Sequence, residues 1–92
     1  MIGISVVKKK NMSSKKPLEV GKLYQTKIKI SFYSCSSDRF MWVKNVESKT
    51  FIMILENGCF DRFNKILTED GQVGYIDSNF HYEGGGSVEK IV

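Results

Sequence analysis

One histidine, two cysteines and a glycine triplet are the residues of this 92-residue chain that could do covalent or metal chemistry. His81 can be grouped on paper with Ser78 and Asp61 as base, nucleophile and orienting acid, but no spacing in the chain brings the three together. Its plainer reading is a surface or edge-strand histidine. Cys35, Cys59 and His81 are metal-ligand types, without the paired cysteine or histidine spacing that presets a zinc site. With no export signal ahead of them, both thiols are expected to stay reduced, as small buried or half-buried apolar side chains. Gly84-Gly85-Gly86-Ser87 lacks the lysine-hydroxyl pair and following helix of a phosphate loop, and reads as a flexible release. These residues point to no enzyme, no metal and no cofactor.

The chemistry that does stand out is cationic. Residues 1–29 carry eight lysines against Glu19 alone, a net +7, while residues 30–92 net −3, for +4 over the chain. Such a one-ended bias suits a polyanion, and a solubilising tail accounts for it equally well. Lys8, Lys9, Lys10, Lys15 and Lys16 fall in a stretch that ends at Pro17 and has little to pack. Residues 1–17 are therefore expected to form a flexible basic arm, with Met12 a possible second start. The apolar opening, Met1 to Val7, has its lysines after it, and so is not expected to be a secretory signal.

Behind the arm, the pattern is that of strands. Tyr24, Thr26, Ile28, Ile30 and Phe32 alternate with Gln25, Lys27, Lys29, Ser31 and Tyr33, which predicts one half-buried strand with lysines and a ring on its wet face. Ser34–Asp38 reads as a loop. Arg39–Val46 reads as a second strand, with the facing of Trp42 open. Thr50–Leu55 is apolar throughout and predicts a third strand covered on both sides, closed by Asn57-Gly58. Arg62–Thr68 and Gln72–Ile76 flank an Asp70-Gly71 turn, the strongest hairpin signal in the chain. Gly74 suggests a close backbone approach. A single 3₁₀ turn is expected at Asp77–Asn79 and a last short strand at Phe80–Tyr82. The longest apolar run, Phe51 to Leu55, is five residues, too short to cross a membrane as a helix. One all-β domain over residues 18–83 follows, with 84–92 as a glycine-led tail or edge strand.

Gly71-Gln72-Val73-Gly74-Tyr75-Ile76-Asp77-Ser78-Asn79-Phe80 resembles the closing segment of Src-homology-3 domains, and Gly21-Lys22-Leu23-Tyr24 resembles their first strand. The resemblance implies a small, five-stranded, partly open barrel. The family's proline-rich peptide groove is not carried over: its proline stands as Asp77, its final tyrosine as Phe80, its tryptophan position falls near Arg62, and Ser34–Asp38 replaces its acidic loop. In size and in its lysine-asparagine-isoleucine richness the chain also resembles small accessory proteins of tailed phages.

The expected function is a cytoplasmic, non-enzymatic binding module, monomeric or homodimeric, with no membrane role. RNA is the first partner, held non-specifically by Lys8, Lys9, Lys10, Lys15, Lys16, Lys22, Lys27 and Lys29 with stacking on Tyr33. The absence of arginine from residues 1–29 fits non-specific rather than bidentate recognition. The alternative is a host or viral protein, bound by an inhibitor or adaptor of phage type through an apolar patch at Met41, Trp42 and Tyr82.

Overall fold

A computed structural model describes residues 15–37 and 39–91. They form one antiparallel sheet of seven strands: β1 Leu23–Thr26, β2 Ile30–Ser36, β3 Arg39–Val46, β4 Phe51–Cys59, β5 Phe63–Thr68, β6 Val73–Asp77 and β7 Val88–Lys90. Their order is β3-β2-β6-β5-β4-β1-β7, and the sheet does not close. The all-β class is as the sequence predicts; the strand count is seven rather than five. Most of the predicted arm lies outside the described residues. Its last part does not: Lys16 bridges to Glu83, just ahead of Leu18, the fully buried first residue of the predicted domain.

The inner face explains the sheet's curvature. Leu18, Tyr24 and Val88 come from one end of the sheet, and Ile30, Phe32 and Val46 from the other, yet they share one core cluster with Ile52, Ile54, Ile66 and Ile76. The two ends must therefore fold toward each other over a common apolar centre. Register rows confirm the face: Tyr24 opposes Ile52, and Ile54 opposes Ile66, which opposes Gly74. Gly74 is the predicted close approach, since a Cβ there would sit 2.3 Å from the Phe32 ring. Tyr24 is buried but satisfied, its hydroxyl accepting from the Glu19 amide at 2.8 Å and donating to Glu83 at 2.5 Å.

Several expectations need correcting. The single strand expected from Tyr24 to Phe32 is two, broken at Lys27–Lys29, because β1 pairs with β4 and β7 while β2 pairs with β3 and β6. A straight strand cannot serve both ends of the sheet. The Lys27 amide still donates to the Ser87 carbonyl, one step beyond the β1–β7 register, and then Ile28 turns outward, 53% exposed. The β4 segment is not covered on both sides: Ile52 and Ile54 are buried, whereas Phe51, Met53 and Leu55 are exposed. An apolar run cannot reveal which of its alternate positions lacks a cover. Asn57-Gly58 does not end this strand, which continues through two register shifts to Cys59. Strand β2 likewise runs to Ser36, through most of the predicted loop. Phe80–Tyr82 is no strand; the Phe80 and His81 amides both donate to the Asp77 carbonyl in a turn. The edge strand allowed for in the tail is β7, paired with β1.

Candidate nucleic-acid interface

Directly opposed residues of an antiparallel sheet share a face, so the register shows what the outer side presents. Trp42 on β3 opposes Tyr33 on β2, Tyr33 opposes Tyr75 on β6, Tyr75 opposes Lys65 on β5, and Lys65 opposes Glu56 on β4. This lateral row holds three aromatic rings and ends in a Lys–Glu pair. Trp42 is 57% exposed, its indole N–H donating to Asn45 Oδ1 at 3.3 Å. A register shift between Phe32 and Tyr33 sets the alignment: the irregularity in the β2–β3 ladder brings Trp42, not Val43, opposite Tyr33.

A second group of rings braces the row. Phe40 stacks on Phe63 with centroids 3.8 Å apart and planes 14° from parallel, and meets Tyr75 and Phe60 edge-on at 5.1 and 5.3 Å. Tyr33 meets Phe63 edge-on at 5.6 Å. The Arg62 guanidinium lies 5.6 Å from the Phe63 centroid and pairs with buried Asp77 at 3.3 Å. Phe60 and Asp61, in the β4–β5 turn, both adopt left-handed backbone conformations, φ 53° and 60°. Such non-glycine residues are held there by surrounding contacts, and the packing of Phe60 on Phe40 is one.

Beside Tyr33 the sheet opens. Strands β2 and β6 pair at a single position, Tyr33 with Tyr75, and then part. The gap is a cleft of about 230 Å³, walled by Lys29, Ile30, Ser31 and Tyr33 on one side and Asp77, Phe80 and His81 on the other. His81 is therefore neither a surface nor an edge-strand histidine; it is 8% exposed, with Nδ1 2.9 Å from the Ser87 hydroxyl. Burial holds its imidazole below the ordinary histidine range, against an opposing pull from Asp77. The Ser78–His81–Asp61 grouping is not assembled, since the Ser78 hydroxyl donates to the Arg62 carbonyl at 2.7 Å.

The remaining sequence candidates are scattered. Lys8, Lys9 and Lys10 lie outside the described residues. Lys22, Lys27 and Lys29 are exposed, but Lys22 precedes β1 while Lys27 and Lys29 follow it, so they share no strand face. Of the three, Lys29 alone lines the same cleft as Tyr33. Lys15 lies 5.4 Å over the Tyr82 ring, whose atoms a Cβ at Gly85 would meet at 2.8 Å. Tyr82 thus belongs to a different cleft, with Lys15, Asn57, Asn64 and Asn79, rather than to a patch with Met41 and Trp42. Met41 is 63% exposed on β3. Cys35 and Cys59 are free and half-buried, and burial, aided by Glu56, pushes the Cys59 thiol upward. Among the described residues no group of histidine, cysteine or acidic side chains could hold a metal.

Sequence reasoning missed Tyr75, Lys65, Phe40, Phe60 and Arg62. Their common face depends on long-range register, for which the local alternation carries no signal. Comparison with family models, with curated proteins and with solved structures returns no match. No helix among the described residues is long and apolar enough to cross a membrane.

Proposed function

We propose that this chain is a non-enzymatic module that binds single-stranded RNA on the outer face of an SH3-like barrel. The observation that carries the reading is the Trp42–Tyr33–Tyr75–Lys65 row. Successive rings on adjacent strands, about 4.8 Å apart, offer stacking surfaces that tolerate any base, and flanking cations hold phosphates. Lys65, Arg62 and Lys29 supply charge at or beside the rings, and Lys15, Lys16 and the lysines of residues 1–14 add to it. The sites of recognition thus move from the β1–β2 lysines toward the sheet's outer face. Single strands suit this surface better than duplex, because no helix among the described residues could enter a major groove. The barrel reading is supported by the five-strand run β7-β1-β4-β5-β6, by the Asp70-Gly71 hairpin, and by the turn at 78–80 that leads toward β7. The β2–β3 hairpin is then an addition between the first two barrel strands.

Anisotropy of a labelled RNA decamer, titrated over a salt series from about 50 mM upward, tests the reading. Binding that weakens as salt rises, with quenching of the single tryptophan, Trp42, is the expected result. No binding at the lowest salt, or binding without quenching, rejects it. A DNA decamer of the same sequence shows whether the 2′-hydroxyl matters.

A second reading has its own observation. Leu23 opposes Met53, Met53 opposes Leu67, and Leu67 opposes Val73, forming an apolar row on the same outer face. Phe51 and Leu55 flank it and are exposed. Exposed apolar patches of this kind often mark protein contacts, as an inhibitor or adaptor would need. A pull-down with and without nuclease separates the readings: partners that survive nuclease and depend on Met53 favour the protein.

A further inference from the structure

The cleft between β2 and β6 continues the aromatic row, because Tyr33 belongs to both. Its walls hold three groups of use to a nucleotide. Phe80 stands at the rim, 68% exposed, with a ring face available for a base. Lys29 supplies an ammonium group, and no ion pair is formed by it among the described residues. His81 supplies an imidazole whose Nδ1 lies 2.9 Å from the Ser87 hydroxyl. Among the described residues the Ser87 hydroxyl has one side-chain partner, His81 Nδ1. In the tautomer that lets this buried hydroxyl donate to Nδ1, the neutral ring carries its proton on Nε2. The acid in the cleft, Asp77, is already engaged: Arg62 lies 3.3 Å from Oδ2, and the Asn79 amide donates to Oδ1 at 2.8 Å. Lys29 and Arg62 against Asp77 leave the surroundings one positive charge in excess.

Resting on the RNA-binding reading, we infer that this cleft takes one nucleotide of the bound strand, its base against Phe80 and its phosphate between Lys29 and the Nε2–H of His81. The splayed strands then have a purpose. A fully paired β2–β6 ladder would close the gap and end the platform at Tyr33. The single register pair instead leaves a slot where the strand leaves the flat face and a phosphate is gripped from two sides. Ser31, on the β2 wall, adds a hydroxyl donor.

The chain holds one histidine and one tryptophan, so each half of the inference has its own reporter. Titration of the full chain with the RNA decamer, with uridine 5′-monophosphate and with inorganic phosphate, followed by the His81 imidazole resonance and by Trp42 fluorescence, is the test. The decamer is expected to move both signals in parallel. Uridine monophosphate is expected to move the His81 resonance at lower concentration than inorganic phosphate. Phe80→Ala, at an exposed turn position that leaves the core intact, should weaken decamer binding about ten-fold without changing the response to inorganic phosphate. Quenching of Trp42 with a stationary His81 resonance overturns the cleft while leaving the platform standing. Failure of both signals rejects the platform and the cleft together. Equal responses to uridine monophosphate and inorganic phosphate, or an unaltered affinity in Phe80→Ala, overturn the assignment of a nucleotide.

Discussion

The two faces of the sheet are both rich in apolar side chains, but they differ in kind. The inner face is built mainly of isoleucine: Ile30, Ile52, Ile54, Ile66 and Ile76 are essentially shielded from water, with Phe32, Tyr24 and Leu18 closing the gaps. The outer face presents rings and a thioether, with Trp42, Phe60 and Met53 all exposed. β-Branched aliphatics fill space well but recognise little, whereas flat rings and flexible thioethers present surfaces to a partner. Cations differ likewise. Lys65 and Arg62 stand beside outer rings; the ammonium of Lys44 reaches 5.6 Å from the Phe32 ring at the margin of the core, paired with Asp70 at 3.6 Å. Folding uses one face and leaves the other exposed, so on the proposed reading substitutions on the two should separate stability from affinity.

The largest effect is expected inside. Ile66→Ala removes a fully buried side chain from the centre of the inner face and should cost about 2–5 kcal/mol, read by urea denaturation. The fraction that remains folded should bind the RNA decamer as the parent does. Gly74→Ala should cost about 1–3 kcal/mol by the opposite mechanism, since its methyl must displace the Phe32 ring. A drop in affinity per folded molecule for either variant would show that the faces are not separable.

On the outer face the order reverses. Trp42→Ala should change stability by about 0.5 kcal/mol or less, because the indole is mostly in water and its one hydrogen bond is to a neighbouring exposed side chain. Its expected loss of RNA affinity, read by anisotropy, is about 1–3 kcal/mol. A Trp42→Ala variant that unfolds readily but binds normally would break the comparison.

Different parts of this arrangement were legible in the sequence for a physical reason. The Asp70-Gly71 hairpin, the Arg39–Val46 strand and the approach of Gly74 to another chain segment follow from local turn chemistry and residue type. The break at Lys27–Lys29 does not. Period two continues unbroken through Ile28, and only the demand that β1 and β2 serve opposite ends of the sheet tears it. Tyr33 does face outward as the alternation predicts, but Lys27 and Lys29 fall in the break between β1 and β2, so the three share no strand face. The Trp42–Tyr33–Tyr75–Lys65 row joins four strands whose mutual order no local pattern encodes. The positive bias of the early lysines can be read from charge alone, but their position relative to the rings cannot.

The smallest effect is at the seam between the faces. His81 is buried against Ser87, and its imidazole is held below the ordinary value of 6.5. The folded form therefore prefers the neutral ring, and the unfolded chain binds a proton more readily. Stability from this residue is fully present above pH 6.5 and declines as the pH falls from there toward the lower folded value. The groups around the ring act in both directions. Burial disfavours the charged form, Asp77, itself engaged by Arg62, favours it, and Lys29 stands across the cleft. Urea midpoints measured between about pH 5 and pH 8 should fall with acidification in the parent and fall less steeply in His81→Gln, which keeps a donor but cannot titrate. A phosphate bound in the cleft would reverse the sign, because an anion beside Nε2 stabilises the protonated ring. Adding the RNA decamer should then flatten the acid limb of the parent and leave that of His81→Gln unmoved. An equal shift in both would place the anion elsewhere.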